Sequence, residues 1–287
     1  MSTRLSLDPI SDLRELFAFP FMVNALEAGT IVAVLAAVVG WYMVLRRQTF
    51  AGHTLSVMAF PGAAGAALVG LPTGLGYYVA CGGAALFMRR ARGSARRSYG
   101  TETATIATVQ VVGLAAGYLF LSLGNAVLGG TETLLFGTFL GVSRTQVLAL
   151  LIVAAVAVTL VAVSARPLLL ETIDPEAARA RGLPVAILDT GFLLVLAAAV
   201  AATSQITGAL LVFALLVAPA AAAQQLTMRP GIGLVLSVVF ALLIVWLGLG
   251  IAYFSIYPVG FYVTSIAFAL FLAARLVRSS RTRRRAR

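Results

Sequence analysis

Three long runs of this chain carry no formal charge: Gln48 to Met88, Thr190 to Met228, and Pro230 to Ala274. A helix crossing a bilayer needs about 20 apolar residues, so each run is long enough for two crossings. Hydrophobic residues make up 61% of the 287, against about 45–50% in a soluble domain. A soluble fold of this length could not hide so much apolar surface. The expected class is all-α, a polytopic transmembrane helix bundle forming a single domain over residues 1–287.

Breaks within and between the runs divide them into spans. Leu71-Pro72-Thr73-Gly74 splits the first run into helices over 53–70 and 75–88. A weaker break at Thr203-Ser204-Gln205 gives 186–203 and 207–224, and Tyr257-Pro258 separates the last two spans. With further spans over 21–45, 103–122 and 145–165, nine result, or eight if 207–224 is a broken element. Residues 123–143 are too broken for a span and too apolar for a free loop, so an external, re-entrant-like loop packed against the helices is expected. Met1 to Phe19 carries Asp8, Asp12 and Glu15 and lacks a long apolar core, so no cleavable signal peptide is expected there. Ser11 to Phe17 reads as a short interfacial helix.

All 21 basic residues are arginines, against 10 acidic ones, for a formal charge of +11. Their placement alternates. One set of connections holds Arg46-Arg47, Arg89 to Arg97, Arg166 to Arg181, Arg229 and the tail from Arg275, while the other set holds only Glu132 and Arg144. Basic residues concentrate on the cytoplasmic side. The expected location is the bacterial cytoplasmic membrane, with residues 1–20 outside and the basic tail 275–287 in the cytoplasm. Arginines distributed this way set topology and give no reason to expect nucleic acid as a partner; the expected surroundings are membrane lipid. The single Cys81 excludes an intrachain disulfide and a cysteine-based zinc site.

The segment Pro167 to Val185 is a polar island between two apolar spans. Asp174 followed by Pro175 reads as an N-cap and first helical residue. Glu176, Arg179 and Arg181 follow, and Gly182-Leu183-Pro184 ends the segment. A short capped helix on the cytoplasmic side fits a contact for a separate motor, with Glu171, Asp174, Pro175, Glu176, Arg179, Arg181 and Gly182 as candidate coupling residues.

Four stretches carry a family resemblance. They are Leu45-Arg46-Arg47-Gln48-Thr49-Phe50-Ala51-Gly52 leading to Leu55-Ser56 and Pro61-Gly62, then Leu134 to Ser143, then Asp174 to Pro184, and Gly208 to Ala223. In this order they resemble the integral membrane permease of bacterial ABC importers for divalent transition metals (zinc, manganese or iron). The resemblance implies a homodimer or paired permease around a central path, with two cytoplasmic ABC ATPase subunits below it. An extracytoplasmic metal-binding protein would deliver the cargo. It implies no cofactor on this chain: the metal ion is substrate, and ATP and magnesium belong to the partner. The absence of a GxxxxGK[ST] phosphate loop agrees, so no enzymatic activity is expected here.

In this family the second span begins Gly-Asp-x-x-Ser-His, with the Asp and His one helical turn apart and facing the path. This chain has Gly52-His53-Thr54-Leu55-Ser56-Val57 instead, with His53 at the acidic position and Val57 at the histidine position. His53 is the only histidine. Imidazole suits zinc, copper, iron or nickel better than magnesium or calcium. The candidate metal path is therefore His53, with Ser56 as an oxygen donor and Glu27 near its outer end. Glu27 either lines the way in or pairs with an arginine, and Asp189 is expected to pair with an arginine of the polar island. Gln110 and Gln205 read as interhelical hydrogen-bond partners, and Met58 as packing. The competing function is a self-sufficient secondary transporter or channel, which would need its own coupling carboxylates in mid-membrane.

Overall fold

The computed structural model of the chain describes residues 18–93, 99–124, 134–137 and 139–285. Among these the regular structure is helical, with no strand. The long helices are α1 (Pro20–Leu45), α2 (Thr49–Leu68), α3 (Thr73–Gly93), α4 (Tyr99–Leu123), α5 (Arg144–Ile173), α7 (Val185–Leu226), α8 (Pro230–Tyr253) and α9 (Val259–Arg285), with the short α6 (Pro175–Ala180) between α5 and α7. Among the described residues, six helices are long and apolar enough to cross a membrane: α1, α5, α7, α8, and most of α4 and α9. Their outward faces are apolar, with Val163 79% and Val111 68% exposed. Such faces are stable only against hydrocarbon or protein, and the chain is a multi-pass membrane protein. The expected interfacial helix at 11–17 and the acidic residue Glu132 lie outside the described residues.

The chain divides into two units. The first comprises residues up to Trp41, Thr138–Ile152 and Ala214–Arg287. Here α1 is the central element, 67% buried over its most apolar window against 17% for α9. Its backbone receives side-chain hydrogen bonds from two neighbours: Ser237 donates to Ala37 O at 3.2 Å and Gln224 to Trp41 O at 3.2 Å. Trp246 Nε1 donates to Thr30 Oγ1 at 3.0 Å, and α8 packs on α9.

The second unit comprises Tyr42–Gly137 and Val153–Phe213. Its centre is α2, which packs on α3 and α4. Small residues allow this. A Cβ on Gly62 would lie 2.3 Å from Gly76 O on α3, so the two backbones touch where no side chain fits. Met58 is a packing residue, as its sequence context suggests: its sulfur would meet a Cβ on Gly113 at 2.5 Å.

Two helix limits depart from expectation. The span read as ending at Arg166 belongs to a longer helix, because α5 continues through Arg166 and Pro167 to Ile173. A proline inside a helix removes one backbone donor, but Leu168 beyond it is buried and Glu171 is held by an ion pair, so the helix persists. The break expected at Thr203-Ser204-Gln205 falls at Gly208, where φ is 74° and ψ 161°. Thr203 and Thr207 bond within the helix instead, their hydroxyls donating to Ala199 O at 2.7 Å and Thr203 O at 3.0 Å. This spends their polarity without ending the helix.

Candidate permeation site

The residues around the Gly208 break build the site from the backbone outward. Gly208 occupies a region of φ and ψ open essentially to glycine alone. Gly137 also has positive φ, 76°, and the two glycines face each other. A Cβ on Gly208 would lie 2.3 Å from Leu135 O, and one on Gly137 2.3 Å from Ile206 O. The segment Leu134 to Gly137, expected to pack against the helices, is thus seated on the kink of α7.

Below this contact lies a cavity of about 250 Å³ lined by His53 and Val57 of α2, Gln110, Val111 and Leu114 of α4, Leu135, and Ala209 and Leu210 of α7. His53 and Val57 share it because residues four apart fall on one helical face. The imidazole rests on Phe213, with ring centroids 4.8 Å apart. Its Nδ1 is buried without a hydrogen-bond partner. Ser56 is elsewhere: it is buried, and its hydroxyl donates to His53 O at 2.8 Å, which ties it to its own helix. Glu27 belongs to the other unit. There its carboxylate accepts from Arg144, and both line a groove of about 720 Å³ that is otherwise mostly apolar. Of the two roles its position suggests, Glu27 takes the pairing with an arginine. Gln205 donates to Ala201 O at 3.2 Å. Among the described residues, no three His, Cys, Asp or Glu side chains converge as a metal-holding group.

At the other end of α5 the capping prediction is realised. Asp174 Oδ1 accepts from Ala177 N–H at 2.9 Å, Pro175 opens α6, and Gly182 has φ 73° just past its end. Asp174, Pro175, Glu176, Arg179, Arg181 and Gly182 are all exposed. Glu171 differs from them, being buried in the last turn of α5. Arg46 donates to it at 2.9 and 3.3 Å and to Asp189 at 2.9 Å, and Gln48 donates to Asp189 at 2.8 Å. The Arg46 guanidinium also stacks over Phe192, 5.1 Å from its centroid. Asp189 thus finds its arginine after α1 and not in the polar island. Nothing in the pair Arg46-Arg47 distinguishes the buried member from the exposed one. The one available signal was Asp189 itself, a carboxylate one turn into an apolar helix that needs a cation.

A profile described as the ABC 3 transport family matches residues 18–278. The chain belongs to this family. Among curated relatives, the chelated iron transport system membrane protein YfeD of Yersinia pestis is 30% identical over 72% of this chain and 68% of its own. The manganese transport system membrane protein MntC of Halalkalibacterium halodurans is 28% identical over 91% of this chain and 88% of its own. Among solved structures, PsaBC from Streptococcus pneumoniae in complex with Fab superposes with a TM-score of 0.83 at 25% identity, covering 92% of this chain and 94% of that one.

Proposed function

We propose that this ABC 3 family chain is the permease subunit of an importer that moves a divalent transition metal ion, zinc, manganese or iron, by alternating access. The observation that carries this reading is the family match over residues 18–278, joined to relatives named for manganese and chelated-iron transport. The chain holds no cofactor of its own. The metal is cargo, and ATP with magnesium is bound by two separate cytoplasmic ATPases. A second permease copy or paralogue completes the path, and an extracytoplasmic protein delivers the ion.

Nine crossings fit this role. The Gly208 break supports counting α7 as two, and α2 and α3 have span length although glycine, serine and threonine in α2, and Arg89 and Arg90 near the end of α3, lower their hydropathy. In this topology the N-terminus is outside, and α6 and the basic tail face the cytoplasm. The exposed cap and helix from Asp174 to Gly182 form the coupling element. Broken membrane helices lining a cavity at the point of transport are a recurring transporter device, and the His53 cavity adjoins such a break. A self-powered carrier would need free mid-membrane carboxylates, whereas Glu27 and Asp189 are both engaged by arginines.

The test is reconstitution of the permease with its ATPase. Zinc, manganese or iron should stimulate ATP hydrolysis, and Glu176→Arg or Gly182→Trp should abolish co-purification of the ATPase. A complex indifferent to every metal of the panel overturns the cargo. Full ATPase stoichiometry and uptake in both variants overturn the coupling element.

A further inference from the structure

We propose that Gln110 is a cargo-ligating, specificity-determining residue. Together with His53 it offers a transition-metal ion one imidazole nitrogen and one amide oxygen per subunit, a charge-neutral donor set that favours zinc over manganese. This rests on the metal-importer reading and assigns the chemistry of its cavity.

The cavity has two polar side chains, His53 and Gln110, among Val57, Val111, Leu114, Leu135, Ala209 and Leu210. A buried polar atom is normally hydrogen-bonded, yet His53 Nδ1 has no partner. The unprotonated nitrogen of a neutral imidazole is a metal donor. Gln110 is held from behind by Thr54. Thr54 Oγ1 lies 3.0 Å from Phe50 O and 3.3 Å from Gln110 Oε1, and its single proton can serve only one of them. The shorter contact is the bond to the preceding helical turn. With the proton committed there, the amide is satisfied when its NH₂ donates to Thr54 Oγ1, since oxygen and nitrogen ends of an amide exchange by a half-turn. That orientation frees the amide oxygen for the cavity that Gln110 lines.

The donor types decide the ion class. No carboxylate lines this cavity, whereas manganese is best served by carboxylate, carbonyl and water oxygens. Imidazole with one neutral oxygen raises zinc, nickel and copper over manganese, in the direction the divalent series already runs. Thr54 acts as a positioning residue, since an outer-shell partner orients the ligand it holds.

The experiment is equilibrium binding of radioactive zinc or manganese to the untagged permease–ATPase complex without nucleotide. His53 is the only imidazole and Cys81 is buried, so the chain's background from other imidazole and thiol donors is low. The wild type should bind zinc at least about tenfold tighter than manganese, and Gln110→Leu should lose zinc affinity about 10–100-fold. Gln110→Glu should shift the zinc-to-manganese ratio about tenfold or more toward manganese. Because Gln110→Glu is read as gained manganese binding, misfolding cannot mimic it. Unchanged zinc affinity in Gln110→Leu, equal affinities in the wild type, or an unmoved ratio in Gln110→Glu would each overturn the assignment while leaving the importer intact. A wild type that neither binds nor responds to any metal would overturn the importer reading itself.

Discussion

Arg46 grips Glu171 with two guanidinium nitrogens, at 2.9 and 3.3 Å, and both side chains are under 10% exposed, at 5% and 8%. A fork of this kind across 125 residues of sequence joins the turn after α1 to the last turn of α5, and the Asp189 contact extends it to the first turns of α7. Removing one partner of a buried pair strands the other, at about 3–5 kcal/mol. Arg46→Ala, which strands the buried Glu171 and takes the cation from Asp189 while leaving it the Gln48 amide, should therefore lower the thermal midpoint in detergent more than Glu171→Ala, which leaves Arg46 with Asp189. Equal midpoints for wild type and Arg46→Ala would remove the pair from any structural role.

The contrast with Glu27 and Arg144 is direct. That pair is 40% and 65% exposed, so screening and side-chain entropy reduce its worth to about 0.2–1 kcal/mol. Glu27→Gln should leave the midpoint nearly unchanged, with whatever remains of the difference vanishing at high salt. A large, salt-insensitive loss would mean that the pair is shielded in the assembled complex.

Gly182, Gly137 and Gly208 allow a controlled comparison. All have φ between 73° and 76°, but a Cβ on Gly182 meets nothing within 4 Å while one on Gly208 collides with the Leu135 carbonyl. Gly182→Ala should cost only backbone strain, about 1–2 kcal/mol. Gly208→Ala and Gly137→Ala add backbone overlap and should fail to give a monodisperse protein. Indistinguishable size-exclusion profiles for the three variants would show that the contact between the two segments is not required.

Asp174→Ala removes the acceptor for Ala177 N–H and should cost about 1 kcal/mol of cap energy. Asp174→Asn, which keeps an acceptor, should restore most of it. On the proposed coupling role, ATP-driven uptake should follow the same order as the thermal midpoints. Uptake unaffected by Asp174→Ala would separate the cap from coupling.

The helices were legible because charge and periodicity are local. The charge-free runs delimited the spans, Pro72 and Pro258 marked turns, and the residues from Asp174 to Gly182 spelled out a cap, a start and a stop. Two features were not legible, for a shared reason: their partners lie far along the chain. Thr203-Ser204-Gln205 looked like the weak point of α7, but hydroxyls that bond to preceding carbonyls keep a helix intact. The position that breaks it is made by Gly137, seventy-one residues earlier by numbering. Asp189 advertised the need for a cation without naming Arg46. At the candidate site, the spacing of His53 and Val57 predicted their shared face. Gln110 read only as a hydrogen-bond partner, because its place in the cavity depends on how α4 packs against α2.

The seat of Gly137 on Gly208 leaves no room for a single methyl group, so residues 134–137 and the helix interruption meet backbone to backbone. Motion at one must be motion at the other. A ligand or antibody fragment that grasps residues 134–137 would hold the interruption shut or open without ever reaching the interior. The handle on this permease is therefore Phe136, the exposed residue of that stretch, and not the cavity that its neighbour Leu135 lines.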